Sequence, residues 1–64
     1  MKLLLTAEEA AQALSISRTT VFEALRRGEL ESIRIGRSRR IPIEAVERFV
    51  QLLRETQAHE NPVQ

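Results

Sequence analysis

The chain has no cysteine, tryptophan, tyrosine or aspartate, and one histidine in 64 residues. Without cysteine, no disulfide and no cysteine-based zinc site can brace so short a chain. His59 sits in a polar stretch with no partner ligands nearby, so no metal site is expected. Ser15, Ser17, Ser32 and Ser38 have no adjacent base, and the pair Glu8-Glu9 is accounted for by helix capping and the helix dipole. With two glycines in all, there is no glycine-rich phosphate cradle. These absences argue against catalysis, and no catalytic residue or cofactor is expected. The apolar run Leu3 to Leu5 is far short of the roughly 18 residues a membrane helix needs. Acids follow it directly, unlike a secretory leader. The expected place is the cytoplasm, on the nucleoid.

Length allows one domain, which buries only about 60% of the surface its unfolded chain exposes. Its stability must rest on an aliphatic core. The net charge of +1 is uninformative, but its distribution is not. Residues 18 to 40 hold seven arginines against three glutamates. The remainder holds three cations against six glutamates. One end of the molecule is thus basic and the other acidic, which orients a small protein toward phosphates. Arginine is also the residue suited to bidentate phosphate and guanine contacts.

Along the chain, Leu3 to Leu5 reads as a short strand or extended lead-in. Thr6 and Glu9 have capping-box spacing. Ala7, Ala10, Ala11 and Leu14 form one helical stripe, small enough for a second helix to approach closely. After Ser15-Ile16-Ser17, Ser17 is placed to cap a second helix, with Ile16 and Val21 at hydrophobic-staple positions. Val21, Ala24 and Leu25 define its buried face. Thr19, Glu23 and Arg26 point the opposite way; Arg18, Thr20, Phe22 and Arg27 lie on the flanks. Gly28 ends this helix. Leu30 to Ile35 and Arg39 to Ile41 read as strands around Gly36-Arg37-Ser38. In that reading Ile33 and Ile35 share one face with Arg34 on the other, and Ile41 supplies the return strand's apolar contact with Arg40 facing away. Pro42 fits the first turn of a third helix, whose apolar stripe is Ile43, Val46, Phe49, Val50 and Leu53. The pattern predicts a mainly α fold with a small β-hairpin: a winged helix-turn-helix of three helices and a two- or three-stranded wing. The domain is expected over residues 1–55, with 56–64 a disordered tail.

Leu4-Leu5-Thr6, Glu9-Ala10-Ala11, Leu14, Ile16-Ser17-Arg18 and Thr20-Val21 together resemble the opening of excisionase-type domains, within the wider winged group that includes mercury-resistance (MerR) type regulators. Arg27-Gly28-Glu29-Leu30, Arg34-x-Gly36-Arg37 and Arg40-Ile41-Pro42-x-x-Ala45-Val46-x-x-Phe49 continue the resemblance, which covers residues 3 to about 50. It implies a DNA-binding domain of bacterial, plasmid or phage origin. Family members include recombination directionality factors, which bend attachment-site DNA and recruit an integrase. Others are transcription regulators or antitoxins. Position 22 often carries tyrosine in these domains; Phe22 has no hydroxyl to offer a phosphate. The long coiled coil of the MerR-type regulators is absent.

The second helix is the expected reader of double-stranded DNA, with Arg18 and Thr19 in its first turn. Arg18 or Arg26 suits guanine O6 and N7, and a threonine methyl suits thymine. Glu23 either accepts from cytosine N4 or pairs with Arg27 one turn on. Thr20 is expected to brace the helix start or meet a phosphate, and Phe22 to be core or to face the sugar-phosphate wall. In the wing, Arg37, Ser38 and Arg39 suit the minor groove or its phosphates, with Arg34 and Arg40 lower down. The leading expectation is an excisionase that binds and bends DNA cooperatively, with a site-specific integrase and self-association along DNA as further contacts. A regulator or antitoxin acting on its own promoter is the alternative. A protein-interaction module, which would show an exposed apolar patch, is the second alternative.

Overall fold

A computed structural model describes residues 2–58. The first helix, α1 (Ala7–Leu14), begins where the sequence places its cap. The Thr6 hydroxyl accepts from the Glu9 N–H at 3.1 Å, and the Glu9 carboxylate accepts from the Thr6 N–H at 2.9 Å. Two of the donors that a helix start leaves unpaired are satisfied reciprocally. The helix stops at Ser15, which takes the left-handed conformation at φ 58°, and the next N–H, of Ile16, donates to Ala11 O at 3.0 Å. A new helix, α2 (Arg18–Arg27), starts after Ser17, whose hydroxyl accepts from the Thr20 N–H at 3.1 Å. It ends at Gly28, φ 78°, a backbone conformation that a Cβ disfavours. The N–H groups of Glu29 and Leu30 both turn back to Ala24 O, and this drives the Leu30 side chain into full burial. Leu30 is therefore a core residue of the turn after α2. The strand expected from residue 30 begins only at 33.

Three strands follow the order β1-β3-β2: β1 (Leu4–Leu5), β2 (Ile33–Ile35) and β3 (Ser38–Pro42), all antiparallel. The hairpin pairs Ile35 with Ser38, Arg34 with Arg39 and Ile33 with Arg40. Its loop is therefore the two residues Gly36 and Arg37, not the three anticipated. Gly36 has φ 62° and Arg37 is not among the positive-φ residues, the arrangement of a type II′ turn, which matches the natural twist of a hairpin. Losing one loop residue shifts the register by one and turns every side chain of β2 to the other face relative to β3. Arg34 and Arg39 thus share the face of the buried Ile41. Ile33 and Ile35, expected alongside Ile41, lie on the opposite face, 43% and 52% exposed. Pro42 also differs from expectation. It closes β3 opposite Leu4, one residue before the third helix. Proline cannot donate to the ladder. The Ile43 N–H, free because it opens a helix, donates instead to Leu3 O at 2.9 Å.

The last helix is α3 (Ile43–Ala58). It carries through 56–58, where the sequence pattern gave no further apolar periodicity. The Gln51 amide donates to Glu55 at 3.2 Å, one turn along, and no proline intervenes before Pro62. Residues 59–64, the rest of the expected tail, lie outside the described residues. The core comprises Ala10, Ala11, Val21, Ala24, Leu30, Ile41, Ala45, Val46 and Phe49, with Leu5, Ala7, Leu14, Ile16, Leu25 and Leu53 packed against it. Ala10 and Ala11 of α1 and Ala24 of α2 are the small residues that let these two helices close on each other. On α3 the buried face includes Ala45 and leaves Val50 exposed, a rotation from the expected stripe.

Candidate nucleic-acid interface

The buried face of α2 is set by Val21 and Ala24, with Leu25 half-buried beside them. At 100° per residue, the side chains opposite are Thr19, Glu23 and Arg26, and the flanks differ in character. Thr20, Glu23 and Arg27 line a groove of about 250 Å³ between α2 and α3, floored by Ile16, Phe49 and Leu53. The Thr20 hydroxyl lies 2.9 Å from that of Ser17, at the start of the helix. Glu23 is half-buried in the groove, and among the described residues it makes no ion pair with Arg27. Arg18, Thr19, Phe22 and Arg26 lie outside the groove and are exposed. The free surface of α2 is therefore narrower than the sequence suggests.

In the wing, Arg37 occupies the loop tip and Ser38 the first rung of β3. Arg34 and Arg39 stand directly opposite each other, a like-charge pair that weakens a sheet unless an anion lies across it. The spacing of residues in the sequence did not reveal this pair, because it exists only in the two-residue-loop register. Arg40, half-buried on the other face, donates to Arg39 O at 3.0 Å and pairs with no glutamate among the described residues.

Charge pairing is uneven across the described residues: of the three cations outside residues 18 to 40, Lys2 and Arg48 are paired and Arg54 is not. Lys2 pairs with Glu9, and Arg48 pairs with Glu31 at 2.7 Å. Among the described residues none of the seven arginines between 18 and 40 has a carboxylate partner. The Lys2 ammonium, followed by the Thr6 backbone N–H, holds the Glu9 carboxyl below its ordinary range. Among the described residues no polar or charged side chain is buried, and no three His, Cys, Asp or Glu side chains come together as a metal site. No helix of the described residues is long and apolar enough to cross a membrane.

Comparison with known proteins gives a consistent picture. The helix-turn-helix domain family matches residues 4–51. A protein of Saccharopolyspora erythraea named "Probable excisionase" is 48% identical over 48 residues, which is 75% of this chain and 49% of that protein. A protein of Streptomyces ambofaciens named "Excisionase" is 40% identical over 48 residues, 75% of this chain and 77% of that protein. The match thus spans about half the length of the first relative and most of the second. No solved structure matches the chain.

Proposed function

The chain belongs to the excisionase-type helix-turn-helix family, and from that premise we propose that it is a sequence-specific binder of double-stranded DNA that directs site-specific recombination without catalysing it. In this reading α2 enters the major groove by its first turn, where Arg18 and Thr19 meet base edges and Arg26 follows one face down. The wing lies along the adjacent backbone or minor groove, with Arg34, Arg37 and Arg39 toward phosphate. Two relatives bearing the excisionase name favour this role over a promoter-bound regulator.

The single observation that carries the DNA reading is the set of seven arginines between 18 and 40, none with a carboxylate partner among the described residues, in a protein that pairs Lys2 and Arg48 elsewhere. An internal partner would have to be displaced before phosphate could bind; among the described residues these arginines have none. The Arg34–Arg39 opposition supports the same reading, because a phosphate lying across the two strands relieves it.

One domain of this size contacts few base pairs. Several copies along the DNA, the acidic side of one against the basic side of the next, would supply affinity and, when in phase, a bend. An integrase bound beside them is the partner such a complex would serve, within the cytoplasm.

The test is to incubate the protein with sheared DNA from its source genome and sequence the retained fragments. Retention of a recombination attachment site next to an integrase gene is the expected result. Retention of its own promoter alone would replace the excisionase role with a regulatory one. No enrichment at low salt would refute DNA recognition altogether.

A further inference from the structure

The chain has two phenylalanines, and the fold uses them oppositely. Phe49 is a core residue, 4% exposed. Phe22 is 44% exposed and is not among the buried core residues. It lies outside the groove between α2 and α3. Arg18 and Arg26 are one helical turn before and after it, so the Phe22 position lies between two arginine positions on one stripe of the helix. Neither arginine has a carboxylate partner among the described residues.

An exposed ring on a helix that reads DNA is a chemical statement about what it meets. Base edges in the major groove present hydrogen-bond donors and acceptors, which a phenyl ring cannot use. They present one apolar group, the C5-methyl of thymine. A ring held between two cations, each able to fix on guanine or phosphate, is positioned against the base step between them. We infer that Phe22 is a specificity-determining residue that reads a 5-methylpyrimidine, so that the binding site carries an essential thymine facing the middle of α2. This rests on the DNA-binding role proposed above and adds to it the chemical class of one base. The sugar-phosphate wall is the competing contact for this ring, and it differs in one respect: it is blind to the methyl group.

Thymine and uracil pair identically and differ only by that methyl. A duplex bound specifically is first selected from a random pool. Each thymine in it is then replaced singly by uracil. For the wild-type protein, one thymine per bound copy should weaken binding on replacement by about four-fold, the equivalent of one buried methyl. Phe22→Ala should bind the thymine and uracil duplexes equally at that position, and Phe22→Leu should retain most of the difference. Thr19→Ser, which removes the other candidate methyl on the exposed face but keeps its hydroxyl, should leave the discrimination intact. Far-ultraviolet circular dichroism of each variant should match wild type, because Phe22 is not one of the buried core residues. Specific binding without sensitivity to uracil at any position overturns the inference and leaves DNA recognition standing. Discrimination that survives Phe22→Ala also overturns it. Failure to select any duplex overturns both.

Discussion

Replacing Arg39 by glutamine should move DNA affinity and stability in opposite directions. Arg39 lies opposite Arg34 on the face of the wing that carries Ile41. Like charges in directly opposed positions destabilise a sheet by about 0.2–1 kcal/mol, and the pair is exposed, which places it at the lower end. About 0.3–0.5 kcal/mol in a domain of this size corresponds to a rise in melting temperature of roughly 2–4 °C. That rise should be seen in low salt and fade as salt screens the repulsion. Binding should change the other way. Each phosphate contact contributes about −0.9 to the slope of log affinity against log salt, so Arg34, Arg37 and Arg39 together contribute about −2.7. Arg39→Gln should reduce its magnitude by about 0.9. Fluorescence anisotropy at several salt concentrations and thermal melts in the same buffers read both quantities. Arg34→Gln should give the same stability gain, and the double variant no more than either single change, because only one repulsion exists to remove. A lowered melting temperature for Arg39→Gln, additive gains, or an unchanged salt slope would each refute the reasoning.

Three other perturbations test the fold and its caps. Ile41→Ala removes one of the largest fully buried side chains and should cost about 2–5 kcal/mol, a large fraction of the stability of a small domain, readable by urea denaturation. Gly36→Ala places a Cβ at φ 62°, where the space is open but the backbone disfavours it. A loss of about 1 kcal/mol and weaker DNA binding are expected, while alanine stabilising the domain would exclude the type II′ turn. The Glu9 pKa is lowered in the folded state from its ordinary value of 4.5, chiefly by Lys2 and then by the Thr6 N–H, so its contribution is present above about that pH and is lost as pH falls through the lower folded-state value. Melting temperature measured from pH 6 down to pH 3 should therefore decline less steeply in Glu9→Gln than in wild type.

The elements that the sequence made legible are those set by near neighbours. Thr6, Glu9, Ser17 and Gly28 act within one helical turn, so their spacing alone locates the start of α1 and both ends of α2, whereas the left-handed Ser15 that closes α1 carried no such signal. The alanine stripe and Val21 likewise announce their burial through period. The wing was harder, because register depends on whether Gly36 begins a loop of two residues or three, and the same glycine serves both. That one residue decided the fate of Ile33, Ile35 and the Arg34–Arg39 pair. Leu30 looked like a strand residue by composition, yet the carbonyl of Ala24 claimed its N–H. On α2 the sequence separated buried from free positions but could not show that α3 would flank Thr20, Glu23 and Arg27. That flank is tertiary, made by residues some thirty positions away.

The division of α2 into two faces bears on how such a protein diversifies. Val21 and Ala24 hold the helix to the body, whereas Arg18, Thr19, Phe22 and Arg26 stand outside it. Substitutions at exposed positions usually alter stability by no more than about 0.5 kcal/mol. A lineage can therefore rewrite the outward four while the scaffold stays above its folding threshold. Its descendants would share caps, alanines and wing, and answer to different addresses in the genome.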